Sequence, residues 1–151
     1  MNRAGIPATR EPHGLLRVDG KRPDGLTLVP WREGRCLVWD VTVADTTAAS
    51  YLTATSTLAG SAAESASVRK EAKYAELSNR FHFFPIAIES HGPISIKATP
   101  FLSDLGRRIT MSTSDARETS FLFQRISVTL QRLNAVCVSD TFRDLLVNDS
   151  G

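Results

Sequence analysis

The sequence predicts an α/β fold: a small central mixed β-sheet flanked by helices, closed at its C-terminal end by a helical cap. Three observations predict it. Leu26-Thr27-Leu28-Val29 and the run from Cys36 to Val43 are apolar and β-branched, with Trp31-Arg32-Glu33-Gly34 between them as a turn. Residues 58–77 then change to Ala, Glu, Lys and Arg, all good helix formers. From Phe81 to Glu89 the chain is apolar again, giving a third strand after the crossover helix.

Each element has its own signal. The strand Cys36–Val43 is apolar enough for a central position buried on both faces, and Pro30 ends the strand before it. Residues 44–57, rich in Thr, Ser and Ala, read as a loop. Pro85 inside the third strand argues for an edge or a bulge. Phe101, Leu102, Leu105 and Ile109 fit a helix over 97–111. Asp115 reads as the N-cap of a second helix reaching about Val138, with Glu118 as its capping-box partner. Residues 1–20, broken by Pro7, Pro12, Gly5 and Gly14, read as a flexible arm or an edge strand around Leu15, Leu16 and Val18. The α/β domain with its C-terminal helices is expected over 21–140, and 141–151 form a tail.

Bulk properties set limits. With 151 residues, 42% hydrophobic and 23% charged, the chain is the size and composition of one globular domain, and its net charge of +2 permits a nucleic-acid partner without demanding one. Cys36 and Cys137 stand apart in apolar surroundings, read as two buried reduced thiols, and lack zinc-ligand spacing. That usage suits the nucleus or cytoplasm. No leader is visible in 1–20, and no apolar run reaches the ~20 residues of a membrane helix, so no membrane partner is expected.

The chemistry-bearing residues lie in three short stretches: Lys21-Arg22-Pro23-Asp24-Gly25, Val38-Trp39-Asp40-Val41-Thr42 and Arg69-Lys70-Glu71-Ala72-Lys73-Tyr74. A hairpin of this length brings Asp24 and Asp40 together. Two adjacent carboxylates repel unless a proton or cation neutralises them, and a carboxylate in an apolar strand needs such a partner. Mg²⁺ suits one or two carboxylates with water and phosphate. On a wheel of about 100° per residue, Leu58, Ala62, Ala66 and Leu77 cluster with Lys73 at the centre of their arc, Arg69 nearby and Lys70 somewhat off it. Arg107 and Arg108 could also meet phosphates, although helix charges are more often solvated. His13, His82 and His91 stand alone, and Asp45 is a spare acceptor just past the strand.

Lys-Arg-Pro-Asp24, the gap of 15 residues to Asp40 and Lys-x-x-Lys-Tyr on the helix together resemble the restriction-enzyme-like PD-(D/E)XK endonuclease domain of non-LTR retrotransposons and related elements. The run from Glu11 to Gly25 is also similar to C-terminal regions of reverse-transcriptase-like proteins of mobile elements, and the likeness extends over residues 11–140. The resemblance implies a restriction-endonuclease-like core and Mg²⁺- or Mn²⁺-dependent hydrolysis of DNA phosphodiester bonds. It implies Asp24 and Asp40 as metal ligands, with the Val41 carbonyl as a further one. Lys73 would be the catalytic lysine, and Arg69, Lys70, Lys21 and Arg22 the DNA contacts. The chain departs from the pattern at Thr42, where the family has lysine, and in the helix that relatives carry ahead of the hairpin. It therefore reads as a fragment whose parent element supplies a reverse transcriptase. The alternatives are a catalytically inactive nucleic-acid-binding domain and a degenerate transposon remnant.

Overall fold

The structure is a computed structural model that describes residues 1–15 and 20–148, with side chains as far as residue 140. Its elements are β1 (Ala8–Arg10), β2 (Gly25–Arg32), β3 (Arg35–Ala44), α1 (Leu52–Thr55), α2 (Ser61–Lys73), β4 (His82–Glu89), α3 (Ala98–Thr113) and α4 (Glu118–Asn148). The sheet order is β1-β2-β3-β4, with β1, β2 and β3 antiparallel and β4 parallel to β3. The fold is thus α/β with a mixed sheet. A crossover through α1 and α2 makes the parallel pair possible.

β4 lies at a sheet edge, which explains how Pro85 is accommodated without a ladder N–H. The other edge strand is β1, upstream of the apolar patch to which the sequence pointed. Leu15 sits in a 3-10 turn, and Leu16 and Val18 lie outside the described residues. The β2–β3 register shifts between Leu26 and Pro30, where Pro30 offers no N–H. The buried Thr27 hydroxyl fills in, accepting from Leu37 N at 2.9 Å and donating to Val29 O at 2.8 Å.

The two faces of the sheet are covered differently. Leu37, Ile86 and Ile88 pack beneath Phe101, Leu102, Leu105 and Ile109 of α3 and Leu130 of α4, with Trp31 completing the cluster. On the opposite face Ala44 and Ala87 meet Ala62, Ala63 and Ala66 of α2. These small side chains let the helix lie close to the strands. β3 is central, as expected, but is buried on both faces only in its first half: Val41 and Val43 are 43% and 49% exposed.

Several boundaries differ from expectation for physical reasons. α2 starts at Ser61 because Gly60 takes a left-handed φ of 90°, and ends at Lys73 before a 3-10 turn over Ala75–Asn79. Residues 44–57 contain the single helical turn α1. Asp115 caps by accepting from Arg117 N, while the buried Glu118 carboxylate turns away to pair with Arg3 instead of closing a capping box. α4 runs beyond Val138 and through residues 141–148, where a tail was expected. Cys36 is half-buried and Cys137 exposed; Cys137 lies in the stretch of α4 past Leu130, whose side chains mostly face outward. Among the described residues no helix is long and apolar enough to cross a membrane.

Arg107 and Arg108 belong to an internal charge hub. The Asp104 side chain, 7% exposed, meets Arg107 at 2.5 Å, Arg108 at 3.2 Å and Arg32 at 3.1 Å. Burial pushes the Asp104 carboxyl up, but hydrogen bonds from Arg107 and Arg108, with the charges of Arg108 and Arg32, hold it below the usual aspartate range. A carboxyl depressed in the folded state stabilises fully above its ordinary value of 3.8, and that stabilisation is lost as pH falls through the depressed value. Asp104→Asn is therefore expected to lower stability at pH 7 by about 2 kcal/mol. In urea titrations across pH 2–6 its deficit should shrink on the acid side; a deficit constant with pH would contradict the assignment.

Candidate functional site

β2 ends at Gly25, paired with Trp39, and Leu26 pairs with Val38. Carrying that antiparallel register one step further sets Asp24 opposite Asp40, on one face of the sheet. The step after it sets Pro23 opposite Val41. Proline has no N–H to donate to the Val41 carbonyl, and the Val41 N–H is taken by the Asp24 carboxylate, whose Oδ2 accepts at 2.6 Å. Asp24 thus caps β3 where β2 stops.

Gly25 fits this corner because the Trp39 indole lies against it; a Cβ there would fall 2.0 Å from the ring. The Pro-Asp-Gly sequence is therefore a strand terminus in which each residue has a steric or hydrogen-bonding reason.

Asp40 is 3% exposed on the face covered by α2. Its Oδ2 forms an ion pair with Lys70, and its Oδ1 accepts a hydrogen bond from Tyr74 at 3.3 Å. Oδ2 is enclosed and accepts no hydrogen bond beyond that ionic contact. The single Tyr74 O–H proton is shared with the Arg22 carbonyl at 3.0 Å, tying the segment before β2 to the end of α2. Arg22 itself reaches Glu11 at 3.2 Å and His13 at 2.9 Å.

The ammonium that meets Asp40 is that of Lys70, where the helical wheel pointed to Lys73. Leu58 and Leu77, which set the phase of that wheel, lie outside α2, Leu58 being 67% exposed. The inward face is defined instead by Ala62, Ala63, Ala66 and Ser67, and Lys70 and Tyr74 continue it. Lys73 sits with its ammonium 4.7 Å from the centre of the Tyr74 ring and borders the same cavity.

That cavity, of about 330 Å³, is lined by Asp24, Asp40, Val41, Lys70, Lys73 and Tyr74, with Lys21 and Arg22 at its edge. All the sequence-derived site residues meet there except Arg69. Arg69 stacks over Tyr51, 5.1 Å from its ring centre, in an adjoining cavity of about 370 Å³ that also contains Thr42, Lys21, Lys70 and Lys73. Asp45 is turned onto Thr47, whose N–H and hydroxyl hold its carboxyl below the usual range. His82 meets the Arg32 carbonyl at 3.1 Å, away from the site.

Sequence reasoning missed two contributors. Tyr74 was noted only within a motif, yet it is 1% exposed and joins Asp40 to the segment before β2. Glu89, 1% exposed, accepts from Ala62 N at 2.8 Å and Ala63 N at 3.3 Å, anchoring the start of α2. Its signal was available: an acid closing the apolar strand Ile86-Ala87-Ile88.

Among the described residues no three Asp, Glu, His or Cys side chains group around a common point. The oxygen donors available to a cation are the two aspartates and main-chain carbonyls, with the Glu11 carboxylate on the same cavity but paired with Arg22, a set that suits a hard ion completed by water or phosphate. Gly25→Ala should dislodge Trp39, cost about 2 kcal/mol of stability and shift Trp39 emission. An unchanged urea midpoint and spectrum would show that the corner tolerates a side chain. No protein-family model matches the sequence, and no curated protein is significantly similar to it.

Proposed function

We propose that this domain is a Mg²⁺-dependent, endonuclease-like hydrolase of DNA phosphodiester bonds. One observation carries the reading: Asp24, Asp40 and Lys70 converge on a cavity bordered by Lys21, Arg22 and Lys73. Two carboxylates beside several cations match the needs of phosphodiester hydrolysis, where one set of groups holds a metal and the other faces phosphate oxygens.

Asp24, Asp40 and the Val41 carbonyl, a set of hard oxygen donors on one cavity, would hold Mg²⁺ or Mn²⁺, the ion taking the place that the Lys70 ammonium holds at Asp40 Oδ2. The ion would supply Lewis acidity toward the phosphate and its attacking water. Lys70 is held beside Asp40 and offers its ammonium to the charge that grows on the phosphate oxygens. Tyr74 fixes Asp40 through Oδ1. Lys73, Lys21 and Arg22 border the cavity as phosphate contacts, and Arg69 extends the cationic surface toward Tyr51. The same reading makes the chain part of a mobile-element protein whose reverse transcriptase portion would be its partner.

A second reading is favoured by the Lys70–Asp40 ion pair itself. The pair neutralises the buried carboxylate without a metal, so the fold can persist as a DNA-binding domain that does not cut. Nicking of supercoiled DNA separates the two. Hydrolysis is expected with Mg²⁺, none in EDTA, and Asp40→Asn should slow it at least ~100-fold. Lys70→Ala should be more damaging than Lys73→Ala. A salt-sensitive gel shift with intact DNA at every Mg²⁺ concentration would leave only the binding reading.

A further inference from the structure

A second cavity lies on the other face of the sheet, outside the site just described. It measures about 760 Å³ and is enclosed by residues 1–11, by Trp39 and Val41 of β3, and by Leu105, Ile109 and Leu122 of α3 and α4. That volume is within the ~300–1,000 Å³ of small-molecule sites. Trp39, Leu105, Ile109 and Leu122 form its apolar part, and Asn2, Thr9, Glu11 and Asp24 its polar part. Its rim carries Arg3, Arg10 and Arg125, all exposed, of which Arg3 is paired with Glu118.

The position of this cavity matters as much as its lining. Glu11, Asp24 and Val41 border both it and the 330 Å³ cavity, so the two spaces meet where β2 begins beside β3. A planar apolar group would lie against Trp39, and a phosphate beside it would face Arg10 and Arg125. A base inside a duplex is stacked and cannot turn into such a space, whereas an unpaired one can at little expense.

We infer that the 760 Å³ cavity receives an unpaired nucleotide next to the cleaved phosphate, making the substrate a DNA with an unpaired or frayed position at the cut. This inference rests on the nuclease reading for the identity of the neighbouring phosphate. It does not need hydrolysis to be tested. Aromatic stacking and arginine contacts of this kind recognise a base without reading its sequence, so the selection is for structure and not for one base.

The test is a binding titration in EDTA at fixed salt, read by tryptophan emission, with the whole chain. Trp39 borders the cavity, while Trp31 is 5% exposed in the core and gives a constant background. Three probes are compared: a fully paired duplex, the same duplex with one unpaired nucleotide, and a free deoxynucleoside monophosphate. The expected result is quenching and about tenfold tighter binding for the duplex with the unpaired nucleotide. Leu122→Phe, which adds bulk to the cavity without adding a tryptophan, should abolish that preference and keep the affinity for the paired duplex. Arg125→Glu is the second variant, and circular dichroism melting verifies that each folds. Quenching by the monophosphate alone would mark the cavity as a free-nucleotide site and overturn the DNA assignment. Equal binding of both duplexes, or of neither, with unchanged emission would also overturn it. Asp40→Asn separates the two readings: a preference retained with cleavage lost supports the inference, and cleavage by the unmodified chain without any preference sustains the nuclease reading alone.

Discussion

The buried carboxylate of Asp40 is the constraint around which the domain is arranged. A negative charge in a central strand is tolerated only with a cation and hydrogen-bond donors in fixed positions, and both come from α2 through Lys70 and Tyr74. The apolar contacts on that face are alanines, which contribute little area each. Polar anchors must therefore decide where the helix sits. Glu89 holds its first turn by accepting from Ala62 and Ala63, and Asp40 meets its last turn. Two acids on adjacent parallel strands thus fix both ends of one helix. The opposite face, with Trp31, Phe101, Leu102 and Ile109, supplies the larger apolar core. The larger apolar core thus lies on the α3 side, and the candidate site on the α2 side.

The end of β2 shows how one tripeptide meets structural and chemical demands together. Pro23 stops the ladder, Asp24 replaces the missing partner of Val41, and Gly25 leaves room for Trp39. The register then places a second carboxylate opposite Asp40. A strand stopped in this way leaves the later half of β3 open, and that opening joins the two cavities on either face.

What the sequence made legible was whatever depended on local pattern. The strand pair around Glu33-Gly34 was clear from β-branched runs and turn chemistry, and of the edge or bulge that Pro85 argued for, the structure has the edge. The phase of α2 was not legible, because Leu58 and Leu77 were counted as helical although Gly60 and Tyr74 bound the helix inside them. That error moved attention from Lys70 to Lys73. β1 escaped notice because Ala8-Thr9-Arg10 has no periodicity and owes its strand geometry to pairing with β2. Glu118 fitted a capping box locally, yet its carboxylate is claimed by Arg3 from the other end of the chain. Long-range ion pairs of this kind leave no trace in spacing.

The same pairing changes how the net charge of +2 should be understood. Arg32, Arg107 and Arg108 are committed to Asp104, Arg117 to Asp115 and Lys97 to Glu71. The Arg117 and Lys97 pairs are balanced, whereas one carboxylate cannot cancel three guanidiniums and the Asp104 hub keeps a net positive charge. Lys21, Arg69, Lys70 and Lys73 are grouped around a shared opening on the α2 face, where Lys70 is paired with Asp40 and Arg69 stacks on Tyr51. On the nuclease reading proposed above, these cations would give modest affinity for a regular duplex, since sequence-independent binding grows with the number of phosphates neutralised. Discrimination would then come from shape, and the shape available is the pair of cavities meeting at Asp24.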